Sequence, residues 1–220
     1  MSYSGKLIVI EGGDASGKAT QTAELKKRLE TEGKDAEFLD FPQYQENTVG
    51  ALLRECLDGK RGDFMSVDSR VASVLYAADR FETKPKLEKW LNDGKIVLLD
   101  RYTTANMLHQ GAKIAEKEKR EETVQWIYHL EHEIFKLPLP DIVFYLSVPY
   151  TERQKLQERK GRKNDVAEEY QEHQKMVDER SESILNVYEN THKIDCMRDM
   201  QLRSIEDISD EIYNKTKQIL

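Results

Sequence analysis

Between Glu11 and Thr20 the chain reads Glu-Gly-Gly-Asp-Ala-Ser-Gly-Lys-Ala-Thr. Gly12, Gly17 and Lys18 fall at the spacing G-x-x-x-x-G-K, after an apolar run and at the opening of a helical pattern. In that context a glycine-rich loop turns its backbone N–H groups inward around phosphate oxygens. The helix that follows adds the positive end of its dipole, and Lys18 offers a mobile point charge to phosphates in transfer. Gly12, Gly13, Asp14, Ala15, Ser16, Gly17, Lys18, Ala19 and Thr20 are therefore the candidate cradle for a nucleotide's phosphates. The alternative is a strand-to-helix turn that binds nothing.

One position departs from the motif. The residue after the lysine should carry a hydroxyl for Mg²⁺, and here it is Ala19, followed by Thr20. Either Mg²⁺ is held by phosphates, water and a carboxylate elsewhere, or the loop binds nucleotide without efficient chemistry. Asp100, ending a later apolar run, is the substitute carboxylate. Asp100-Arg101-Tyr102 and Phe41-Pro42 both follow strand-like runs. In open α/β sheets ligands bind beyond the carboxyl ends of the strands, so these groups should converge beside the phosphates. Alone, Asp100-Arg101 could equally be a structural ion pair.

The elements that must position these residues alternate. Strands are expected at Lys6–Glu11, Ala36–Phe41, Lys95–Asp100, Asp141–Ser147 and Lys193–Cys196. Helices are expected at Lys18–Gly33, Val49–Leu57, Val67–Leu91, Glu122–Leu137, Thr151–Tyr188 (broken near Gly161) and Ser204–Ile219. Gly33 is a C-terminal cap, and Trp126, Leu130 and Ile134 are in helical step. Strands separated by helices predict an α/β fold, a parallel sheet covered on both faces.

The chain has 220 residues, which suggests a single domain over 1–220. Lys+Arg of 34 against Asp+Glu of 41 gives −7, which argues against nucleic-acid or membrane partners recruited by bulk charge. The longest apolar runs, such as Leu7–Ile10 and Ile96–Leu99, fall far short of the ~20 residues of a membrane span. The N-terminus lacks a signal-peptide pattern. Cys56 and Cys196 form no metal spacing and read as buried thiols. A cytoplasmic protein is expected.

Taken in order, EGGDASGKATQT, FPQYQENTVGALLRECLDG, LYAADRFE, DRYTTANMLHQGAK, LPLPDIVFYL, ERKGRKNDVAEEY and KIDC…SIEDISDEI resemble the thymidylate kinase family over nearly the whole chain. The resemblance implies a P-loop NTPase fold with a five-stranded parallel sheet and a short mobile lid at about 157–169. It implies phosphoryl transfer from ATP to dTMP with Mg²⁺, and a homodimer through helices near Val67–Phe81. A kinase for another deoxynucleotide, or a nucleotide-binding regulatory protein with little transfer, stays open.

Site residues carry over position by position. Tyr76 matches an aromatic residue stacked on thymine; by spacing alone it would be a core aromatic with Val71, Val74 and Leu75. Arg80, one turn on, matches the arginine donating to a thymine carbonyl. Asn106 matches a contact to the base edge, and Gln110 is a weaker one. His109 stands at an aromatic position near the sugar's 2′ carbon. Asp14 matches the loop acid at the acceptor sugar and phosphate, and Arg101 the arginine on that phosphate. Phe41 and Pro42 shape the same site, and the bond before Pro42 is a candidate for the cis form. Where the family commonly has an arginine after this proline, the chain has Gln43, and Arg54 is the candidate substitute. The loop itself holds no arginine, so Arg159 and Arg162 are the expected cations on the migrating phosphoryl group. They lie in a basic run with Arg153, Lys155, Lys160 and Lys163, otherwise read as a solvated helix face. Asp165 and Glu168 match a D-x-x-E pattern of the same segment.

Overall fold

Leu7, Ile8, Val9 and Ile10 are each at most 1% exposed, so β1 (Lys6–Gly12) is buried on both faces. Alternation splits its side chains between two cores. Ile8 and Ile10 pack with Leu25, Leu29, Ile208 and Ile212 on one face, and Leu7 and Val9 with Leu87 and Leu91 on the other. The computed structural model describes residues 3–160 and 171–220, except for the side chains of 159 and 160.

The chain continues through α1 (Lys18–Thr31), β2 (Ala36–Asp40), α2 (Thr48–Leu57), a 3₁₀ turn at Phe64–Ser66, α3 (Ser69–Asn92) and β3 (Ile96–Asp100). Then come α4 (Thr103–Ala112), α5 (Lys117–Tyr128), a π-helical turn at His129–Ile134 and β4 (Ile142–Ser147). The rest is α6 (Tyr150–Lys160), α7 (Gln171–Leu185), β5 (Thr191–Asp195), β6 (Met197–Arg198), β7 (Gln201–Leu202) and α8 (Ile205–Thr216). The main sheet has the order β2-β3-β1-β4-β5. All its pairings are parallel, as predicted. Ile10 and Asp40 both flank Asp100, which sets the three strand ends side by side. Gly33, at φ +74, follows α1 as expected.

Three elements differ from the sequence reading. Helix α4 lies in a stretch that showed no helical pattern. Its polar residues Thr103, Thr104, Asn106 and Gln110 are buried along with its apolar ones, so no amphipathic stripe exists to detect. The step Trp126, Leu130, Ile134 is not the buried face. The π turn re-phases the helix, Glu131 becomes fully buried, and Ile134 is 58% exposed. Residues β6 and β7 form an antiparallel hairpin whose corner residues, Asp199 and Met200, take positive φ without glycine.

Candidate nucleotide site

The loop from Gly12 to Gly17 joins β1 to α1 at the carboxyl end of the sheet. Gly12 has φ +152, and a Cβ there would lie 2.7 Å from Ser16 Oγ and 2.9 Å from Leu146 O. Ala15 takes a left-handed φ of +62, strain of the kind that collects at ligand-binding turns. Gly17 caps α1 with no side-chain bond to the helix N-terminus, and the first turn holds no acidic residue. No side chain of the first turn therefore competes with an anion for the helix's first N–H groups and dipole. Lys18 is buried, and its Nζ donates to Gly12 O and Gly13 O, both at 3.0 Å, inside the loop. Ala19 is exposed.

Beside this loop lies a pocket with about 670 Å³ of empty space, counting the part open to solvent. Asp14, Phe41, Pro42, Tyr76, Arg80, Arg101, Asn106, His109 and Gln110 line it, from the loop, the β2 end, α3, the β3 end and α4. These elements are distant in sequence, and the sheet register brings them together. The Phe41–Pro42 peptide bond is cis. Arg54 is not among the lining residues. It pairs with Asp58 Oδ1 at 2.7 Å and sits 5.4 Å over the Tyr44 ring, which does line the pocket. Gln43 is turned away, its Nε2 bonded to Asp40 Oδ1 at 3.0 Å.

One end of the pocket is charged. Arg101, itself at φ +67, pairs with the Asp14 carboxylate, whose Oδ2 also accepts from Gln174 Nε2 at 2.7 Å. The other end is a set of amides around an ion pair. Arg80 is 2% exposed, and its Nε and Nη2 bond the buried Glu131 carboxylate at 2.6 and 2.7 Å, leaving the Nη1 edge of the fork. Burial works against the Arg80 charge, but Glu131 outweighs it and holds Arg80 above its ordinary pKa. Asn106 Nδ2 donates to the same Glu131 at 2.8 Å. The Asn106 Oδ1 and Gln110 Oε1 are buried and accept no bond among the described residues. Buried acceptors normally have a donor, so these two point to a ligand N–H. Tyr76 lies 6.0 Å from Phe64, ring to ring, on the same wall. Its neighbours Val71 and Val74 are exposed, while Tyr76 is half-buried, packs with Leu75 against the cluster of Leu53, Leu57 and Phe64, and also lines the pocket.

Between the two ends His109 Nδ1 meets His173 Nε2 at 3.3 Å, with the rings stacked. Burial and then Arg101 hold His109 well below its usual pKa. Burial and then Lys113 bring His173 to about 4, so both rings are neutral at pH 7. Sequence reasoning missed Glu131, Gln174, His173, Phe64 and Tyr44. Nothing local marks them, because their partners come from other elements.

Arg162, Lys163, Asp165 and Glu168 lie outside the described residues, as does the side chain of Arg159. Among the described residues no cluster of His, Cys, Asp or Glu could hold a metal by itself. Mg²⁺ needs only one or two carboxylates beside phosphates and waters. Asp100 at the β3 end and the buried Ser16 Oγ, which has no hydrogen-bond partner among the described residues, are hard oxygen donors that suit it.

The sheet order and the loop define a P-loop NTPase fold with a second pocket beside the phosphate cradle. The family profile described as thymidylate kinase matches residues 10–212, and the chain belongs to that family. It is 32% identical over 144 residues to the human thymidylate kinase, covering 66% of this chain and 61% of that protein. The chain thus spans under two thirds of the human relative's length in that match. With the Danio rerio thymidylate kinase it shares 25% identity over 213 residues, 96% of this chain and 92% of the relative. A solved thymidylate kinase structure from Candida albicans superposes with TM-score 0.76 at 24% identity, covering 100% of this chain and 95% of that one, which bears out the fold.

Among the described residues no helix is long and apolar enough to cross a membrane.

Proposed function

We propose that this protein transfers the γ-phosphoryl group of ATP to the 5′-phosphate of dTMP, forming ADP and dTDP. The observation that carries the reading is the pairing of unsatisfied amide oxygens with an arginine edge at the base end. The N–H of a thymine ring donates to Asn106 Oδ1 or Gln110 Oε1, and its carbonyl accepts from Arg80. Tyr76 stacks on the ring. At the other end Arg101 and Asp14 hold the acceptor phosphate and sugar, next to the loop that cradles ATP. The acceptor oxygen attacks in line, and catalysis is positioning plus charge neutralisation by Lys18 and Arg101. Lys18 leaves the Gly12 and Gly13 carbonyls for the phosphates.

Asp100 and Ser16 would hold Mg²⁺, which neutralises β- and γ-oxygens when bound. Arg159 and Arg162 are proposed, on the sequence resemblance alone, as further cations for the migrating group. Val71, Val74 and Phe81, exposed along α3, would be covered in a homodimer. A cytoplasmic location, in deoxynucleotide synthesis, fits this role. Steady-state turnover with ATP and a panel of nucleoside monophosphates tests the reading. A preference for another base, or nucleotide binding without transfer, would replace it.

A further inference from the structure

Arg153 stands in a basic run that reads as a solvated face, yet it is 2% exposed. Its guanidinium meets four acceptors from three parts of the fold. Nε donates to Val148 O at 3.1 Å, and Nη2 to Asp178 Oδ2 at 2.6 Å. Nη1 donates to Asp14 O at 3.2 Å and to Gln174 Oε1 at 3.1 Å. Gly13 makes the approach possible, since a Cβ there would collide with the guanidinium. Gln174, fixed through its oxygen by Arg153, donates its Nε2 to Asp14 Oδ2 at 2.7 Å, and the other Asp14 oxygen pairs with Arg101. Both the backbone and the carboxylate of Asp14 therefore trace back to one buried arginine that does not itself line the pocket.

Resting on the reading that Asp14 and Arg101 hold the acceptor, we propose that Arg153 is a positioning residue for the acceptor phosphate. It sets the Gly13–Asp14 turn and, through Gln174, aims the carboxylate that orients Arg101. A planar fork is required, because its donors must diverge toward α7, the loop and the end of β4 at once. A lysine is a single point charge on a flexible stem. Arg153→Lys keeps a cation opposite Asp178 and so limits the destabilisation of an unpaired buried charge, while it loses the fork. Gln174→Ala cuts the same relay with no change in charge.

The test is steady-state kinetics on the full chain, varying dTMP at saturating ATP and ATP at saturating dTMP, with thermal melts alongside. Arg153→Lys and Gln174→Ala should each lower kcat/KM for dTMP by about ten- to a hundredfold, the scale of a misplacement near 1 Å. In Gln174→Ala, which leaves the Arg153 contact to the loop backbone in place, the KM for ATP should stay within about twofold. The double variant should be no worse than the weaker single one, since both break one relay. Wild-type kcat/KM for dTMP in folded Gln174→Ala or Arg153→Lys would overturn the proposal, as would fully additive losses or an equal rise in the ATP KM of Gln174→Ala. A wild-type protein that transfers to no monophosphate would instead sink the functional reading, and the brace with it.

Discussion

Glu131 offers the sharpest single perturbation of the base end of the pocket. It is fully buried and bonds Arg80 at 2.6 and 2.7 Å and Asn106 Nδ2 at 2.8 Å. Removing one partner of a buried ion pair costs about 3–5 kcal/mol, because the other charge is left uncompensated. Glu131→Gln keeps the shape and one acceptor oxygen, so the lower end, ~3 kcal/mol, applies. For a chain of this size each kcal/mol moves Tm by about 2–4 °C, which gives a fall of roughly 6–12 °C. Arg80 and Asn106 lose their shared anchor together, so the KM for dTMP should rise by about tenfold or more, tenfold being ~1.4 kcal/mol of binding. The KM for ATP should hardly move. Thermal melts with and without dTMP, and kinetics with each substrate varied, read both effects. The double variant Arg80→Met, Glu131→Leu should recover stability but not dTMP affinity. A Glu131→Gln protein melting within about 2 °C of wild type, at unchanged dTMP KM, would refute the reasoning.

Lys18→Ala should fold normally and lose transfer by about a thousandfold or more, measured at saturating substrates. Arg162→Ala should lower kcat more than it weakens ATP binding; unchanged kcat would remove it from the mechanism. Turnover should depend on Mg²⁺, with Asp100→Asn shifting the titration strongly and Ala19→Ser only modestly, and overlapping Asp100→Asn and wild-type curves would contradict the metal assignment. His173 is lowered by burial to about 4. Its unfolded form, with a pKa of about 6.5, binds a proton first as pH falls. Stability is thus complete above about pH 6.5 and lost on acidification, by about 2.5 kcal/mol at pH 4.5 relative to pH 7. Denaturant melts of His173→Gln against wild type should show that part of the slope disappear; parallel pH curves would contradict it.

The loop was legible because its chemistry is local. Gly12, Gly17 and Lys18 sit at a fixed spacing between a strand and a helix, and the alternation of elements sufficed for the parallel sheet. The lining residues Tyr76, Arg80, Asn106, His109 and Gln110 came from family resemblance, since spacing alone made Tyr76 a core residue. Glu131 was hidden by the π turn, which shifts the buried face of a helix by an amount no 3.6-residue period anticipates. Arg153 was misread for a general reason. A cation in a charged run is normally solvated, and only the missing Cβ of Gly13, 140 positions earlier (153 − 13), makes room for it.

The central claim is that one pocket reads a thymine base while the adjoining loop delivers phosphate. The most direct measurement is kcat/KM for dTMP, dUMP, dCMP, dGMP and dAMP with ATP and Mg²⁺, in wild type and in Asn106→Ala. dTMP should be the preferred acceptor, and dCMP, which lacks a ring N–H at that edge, should be poorly used. The loss in Asn106→Ala should be larger for dTMP than for dCMP. Equal use of dTMP and dCMP, or an Asn106→Ala loss that is the same for both, would contradict the claim.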